Sequence, residues 1–202
     1  MFKLLSGFQR HFLIVFILCC SCTSSFAQVS HKFRGVSLSL YDQKIGNTDL
    51  DKDYLYRSMA ISISQKQRLF SLPIIAITAE LQTQLGVTNV SEQRNSGVQI
   101  KGIETAILVG LNLELSLLPK YWWIYVGGSI GPQFISNTPQ RQNDGFVFSD
   151  SVYAGSRIKA GIRSQLDLKA GFRHQSNAGI SQPNGGINSL FISVGVLSLI
   201  KR

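Results

Sequence analysis

Between Ile103 and Leu117 the chain alternates with a period of two. Ile103, Thr105, Ile107, Val109, Leu111, Leu113, Leu115 and Leu117 share one parity, and Glu104, Asn112, Glu114 and Ser116 share the other. Side chains of a β-strand point in turn to its two faces, so the segment predicts a strand that is oily on one side and polar on the other. The oily side lasts about eight positions, whereas an ordinary strand is ~5–6 residues in all. Ile75, Ile77, Ala79, Leu81, Leu85 and Val87 repeat the arrangement against Thr78, Glu80, Gln82 and Gln84. Carboxylates recur on the face opposite the apolar one.

Such segments lie near 32–41, 54–64, 72–88, 98–118, 121–135, 146–162, 163–176 and 188–200, with Gly, Asn, Asp, Pro or Ser in the breaks. An even number of long strands with one continuous apolar face is what a small membrane barrel requires, because only a closed barrel satisfies every strand backbone group in lipid. The expected fold class is therefore all-β, an eight-stranded antiparallel transmembrane β-barrel over residues 28–202. Tyr121, Trp122, Trp123 and Tyr125 would form part of an aromatic girdle at headgroup level. The competing fold is a soluble lipid carrier of the lipocalin type, whose apolar face would point inward around a ligand.

The first residues read as an export signal. Lys3 and Arg10 supply its positive end, His11 to Cys22 hold a largely apolar run, and Ser25-Phe26-Ala27 is a small-x-small cleavage site, predicting removal of residues 1–27. Lipid attachment at Cys22 is the other reading, although Cys19-Cys20-Ser21 makes a poor lipoprotein box. All three cysteines lie in this segment, which leaves no disulfide framework and no thiolate metal site. Beyond the signal the only histidines are His31 and His174, far apart, so neither metal nor cofactor is expected. Removing Lys3 and Arg10 from the 20 basic residues leaves 18 against 11 acids, a net charge of +7. That excess suits an anionic surface as partner. Nucleic acid is not expected, since the basic residues are scattered and form no run with interleaved aromatics.

The stretch Phe172 to Asn188, FRHQSNAGISQPNGGIN, gathers a base, a hydroxyl and amide donors, the parts acyl transfer needs. Its parity is informative. Leu166, Leu168, Ala170 and Phe172 set an even, apolar face that His174 and Ser176 continue, and Asn188 begins the even face of Leu190, Ile192, Val194 and Val196. The three polar side chains are thus expected to point at lipid, where they cost free energy unless they pair or serve a substrate. Arg173 and Lys169 have the opposite parity and are expected to pair with Glu or Asp across the barrel, and Glu80, Glu104 and Glu114 read as lumen charges, not catalytic carboxylates. With both chain ends on the inner side, the connection between the seventh and eighth strands faces outward. The ester-bearing, anionic lipid of that leaflet is lipopolysaccharide.

These residues resemble the signature of outer-membrane lipid A 3-O-deacylases of the PagL type, also called acyloxyacyl hydrolases. His174-Gln175-Ser176-Asn177 and Pro183-Asn184-Gly185-Gly186 match the family's His-x-Ser-Asn and Pro-Asn-x-Gly elements at their spacing. The resemblance implies a metal-free serine esterase acting on lipid A, with Ser176 as nucleophile, His174 as general base and Asn177 as donor to the oxyanion. Where well-known members carry a glutamate fourteen residues after the histidine, this chain has Asn188, which can hold the imidazole tautomer but brings no charge. Asp150, on the even face of the sixth strand, is the other candidate acid. The alternative function is a noncatalytic structural or lipid-binding barrel that keeps the motif without its acid. The ending Leu199-Ile200-Lys201-Arg202 also lacks the terminal aromatic common in such barrels.

Overall fold

The computed structural model describes residues 32–45, 48–50, 54–91 and 99–200. The signal expected over residues 1–27 with Cys22, and likewise His31 and Lys201-Arg202, lie outside the described residues.

Eight strands form the body: β1 (Lys32–Asp42), β2 (Leu55–Ser71), β3 (Ile75–Ser91), β4 (Ile100–Leu118), β5 (Trp122–Ile135), β6 (Gly145–Lys159), β7 (Ser164–Ser176) and β8 (Ile187–Leu199). Each pairs antiparallel with its chain neighbour, and β1 pairs with β8 to close the barrel. A short ladder of Lys44–Ile45 with Thr48–Asp49 lies in the connection after β1. Closure leaves no strand edge unpaired, the condition for strands to cross hydrocarbon.

The two faces sort as the parity predicts. Val36, Leu38, Ile61, Ile63, Leu85, Val87, Ile107, Leu113, Val194 and Val196 all stand on the outside, with Ile63 64% exposed and Val87 57%. Lys66, Glu104, Glu114, Arg157 and Arg173 point inward and are at most 1% exposed. An apolar exterior around a charged interior is the inverse of a lipid-carrying soluble barrel and identifies a membrane barrel.

Lumen charges meet as ion pairs. Arg173 Nη1 is 3.0 Å from Glu104 Oε1, Arg157 Nη2 is 2.9 Å from Glu114 Oε1, and Lys66 Nζ is 2.7 Å from Asp167 Oδ2. Lys169 Nζ reaches Glu80 at 3.5 Å. An apolar plug of Tyr54, Tyr56, Val90, Ile135, Val147 and Ile187 fills the end of the lumen nearest the longer connections.

Two local readings change. The second strand, expected to stop near residue 64, runs to Ser71. Its polar stretch Gln65-Lys66-Gln67-Arg68 hides a regular strand in which Lys66 is an inward, paired charge. Trp123 and Tyr125 leave the expected girdle: their parity turns them inward, Trp123 beside Arg157 and Tyr125 with its hydroxyl donating to Asp167 Oδ1 at 2.6 Å. Tyr121 and Trp122 remain outside.

The barrel ends differ in a way that orients it. Connections β2–β3, β4–β5 and β6–β7 are three or four residues long, whereas β1–β2, β3–β4, β5–β6 and β7–β8 take eight to twelve. Short inner turns and long outer loops are the pattern of outer-membrane barrels. The His-x-Ser-Asn segment sits at the long-loop end.

Candidate active site

β7 delivers His174 and Ser176 to the outer wall in its last turn of pleat, two residues apart on one face at ~6.6 Å of backbone rise. Antiparallel register then chooses their neighbours. Asn188 of β8 stands directly opposite His174 on one side, and Asp150 of β6 directly opposite on the other. All three share the outward parity, so the imidazole lies in a row between an amide and a carboxylate. Phe148 of β6 faces Ser176 and packs edge-on against Phe146 with ring centroids 5.1 Å apart, giving the serine an apolar neighbour.

His174 Nδ1 and Asn188 Oδ1 are 2.7 Å apart. With a carbonyl oxygen as acceptor, Nδ1 carries the proton and donates, which leaves the Nε2 lone pair as a base. Gly186 closes against that side of the ring: a Cβ there would fall 2.6 Å from Cε1 and 3.3 Å from Nε2. Its φ of +70° is also left-handed, so glycine is required on both counts. The Ser176 hydroxyl, 9% exposed as a residue, carries no hydrogen bond among the described residues.

Past Ser176 the strand breaks and Asn177 turns into the loop, 1% exposed. Its N–H donates to Asn184 Oδ1 at 3.0 Å, its Nδ2 donates to Ser181 O at 2.8 Å, and its Oδ1 accepts from Gly179 N–H at 3.0 Å. Asn177 is therefore the post around which the loop is wound. Ala178 and Gly179 take left-handed φ values of 54° and 79° to make that winding possible.

A second loop fixes the first. Gln142 in the β5–β6 connection bridges Asn184, and its Oε1 accepts from Gly186 N–H at 3.1 Å. Arg141 O accepts from Gly185 N–H and Arg141 Nη2 donates to Gly185 O, both at 2.6 Å. Asn143 Nδ2 donates to Ser181 Oγ at 3.0 Å. Sequence reading missed Gln142 and Arg141, because nothing in a Pro-Gln-Arg-Gln-Asn turn reveals which distant loop it will meet. Among the described residues no group of three His, Cys, Asp or Glu side chains is placed to hold a metal ion.

A closed barrel with an oily exterior, bearing a histidine, a serine and a carboxylate on that exterior, defines a membrane barrel with a polar cluster turned outward from its wall. The sequence profile of the family described as Lipid A 3-O-deacylase (PagL) matches residues 75–196, and the chain belongs to that family. The crystal structure of the outer membrane enzyme PagL is similar in fold, with 17% identity, a TM-score of 0.51, and coverage of 81% of this chain and 97% of its own. Ail, the attachment invasion locus protein of Yersinia pestis, and Neisserial surface protein A match at 15% and 11% identity, with TM-scores of 0.42 and 0.43. Each of these two covers 85% of this chain and 97% of its own. No curated protein sequence matches the chain.

Proposed function

We propose that this barrel is an outer-membrane serine esterase that hydrolyses an acyl ester of lipid A in lipopolysaccharide, the 3-O-linked hydroxyacyl chain being the bond cut. The observation that carries the reading is the 2.7 Å contact between His174 Nδ1 and Asn188 Oδ1 on the lipid-facing wall, two residues from Ser176, in a chain of the deacylase family. A lipid-facing imidazole whose tautomer is held for base chemistry has no structural purpose there.

Ser176 Oγ attacks the acyl carbonyl carbon as His174 Nε2 takes the hydroxyl proton. The family resemblance assigns the tetrahedral oxyanion to Asn177, which requires its Nδ2 to leave Ser181 Oγ and the loop wound on it to open toward the substrate. Collapse breaks the ester bond, and Nε2–H returns the proton to the sugar oxygen that leaves. Water, deprotonated by the same nitrogen, then cleaves the acyl-serine and releases a fatty acid. No cofactor takes part in these steps. The signal of residues 1–27 belongs to the same reading, as the route to the outer membrane.

The test is incubation of the detergent-refolded mature chain and its Ser176→Ala variant with purified lipid A, followed by mass spectrometry. Loss of one hydroxyacyl chain with the native protein alone is expected. No loss from either would leave the noncatalytic lipid-binding barrel in its place.

A further inference from the structure

The barrel strands carry six carboxylates, and five are matched to cations. Glu80, Glu104, Glu114 and Asp167 point into the lumen, each within 3.5 Å of a lysine or arginine nitrogen. Asp42, on the outer wall at its rim, meets Arg57 at 2.7 Å. Asp150 is the sixth. It stands on the outer wall five residues inside the end of β6, half-buried, with no lysine or arginine paired to it among the described residues. Its Oδ1 is buried and has no hydrogen-bond partner. A carboxylate left this way against lipid is costly.

What lies opposite it is His174. Directly opposed residues of an antiparallel pair have Cβ atoms ~4.5–5.5 Å apart, within reach of a carboxylate and an imidazole. The other group opposite the ring, Asn188, fixes the tautomer but is neutral. Gly186 packs on the ring edge, and Arg141 of the neighbouring loop is spent on Gly185 O. The geometry points to Asp150 as the positioning residue that supplies the negative charge His174 needs when it becomes imidazolium, dividing between two strands the tasks that one acid on β8 would combine. This rests on the esterase reading above for its consequence, but the pairing itself does not.

The division has a chemical rationale. An orienting partner must accept from Nδ1–H in every state of the ring, whereas charge stabilisation is wanted only after the ring takes the serine proton. A carboxylate about 5 Å away in a half-buried setting lowers that state by enough to change the rate on the order of 10²-fold.

The experiment compares native protein, Asp150→Asn, Asn188→Glu and the Asp150→Asn/Asn188→Glu double variant. Lipid A hydrolysis is read as kcat and KM, and the His174 imidazole titration is read by NMR on the refolded barrel. Asp150→Asn is expected to lower kcat about 10²-fold with KM little changed, and to lower the His174 titration midpoint by about two pH units. Asn188→Glu in that background should restore kcat to within about tenfold, which loss of a merely structural contact would not allow. Full activity in Asp150→Asn, or an Asp150→Asn defect that Asn188→Glu leaves untouched, overturns the assignment. Should the native chain cleave no ester, the esterase reading falls and the titration decides alone: an unmoved midpoint overturns the pairing, and a lowered one upholds it.

Discussion

The inner and outer walls of this barrel treat charge in opposite ways. Inside, Arg157 and Glu114 lie in contact at 2.9 Å with at most 1% of either exposed, and similar pairs recur along the lumen. Outside, Asp150 has a histidine for its opposite and His174 has an amide. Paired charges in a closed lumen are scaffolding, because each charged side chain is answered by an opposite one. Groups on the lipid side that stay incompletely matched are where chemistry has room to act.

The sharpest way to break this contrast is on the outer wall. His174→Ala should lower lipid A hydrolysis ~10⁴-fold or more while the barrel still folds, measured as turnover per molecule showing the heat-shifted gel mobility of a folded barrel. Gly186→Ala comes next, with a loss of about 10²-fold, since the added methyl meets Cε1 of the ring and its left-handed backbone is strained. Asn188→Ala, which frees the ring to take the wrong tautomer but leaves Asp150 in place, should cost about tenfold in kcat with KM held. The inner wall should behave in reverse. Glu114→Ala leaves Arg157 buried without its partner, so unfolding in urea from lipid vesicles should show a loss of about 3 kcal/mol, with the rate per folded barrel changed less than twofold. An inner-wall variant that stayed stable but lost activity would dissolve the distinction.

How much of this was legible in the chain follows from what a period of two can and cannot say. It assigns each residue to a wall, and so it directs His174, Ser176 and Asn188 outward and Lys169 and Arg173 inward from the sequence alone. It does not say which residue on the next strand stands opposite. That depends on register summed around a closed sheet, which is why Glu104 as the partner of Arg173 was not identifiable from sequence. For the same reason parity alone makes Asp150 a candidate, and only the register of β6 on β7 sets it across from His174. Lys66 was lost inside a polar run that reads like a loop, because a buried ion pair and an exposed turn use the same residue types. The loop around Asn177 announced itself through Pro, Asn and Gly, but its brace at Gln142 did not.

The outward direction of His174 and Ser176 has a kinetic meaning. On the proposed esterase reading, a catalytic group that opens sideways from the barrel is reached by molecules travelling within one leaflet, in two dimensions, and not by those dissolved in the surrounding water. The concentration that governs turnover is then the mole fraction of substrate among neighbouring lipids. Diluting a vesicle suspension should leave the rate per enzyme unchanged, whereas diluting the substrate with inert lipid inside the same vesicle should lower it.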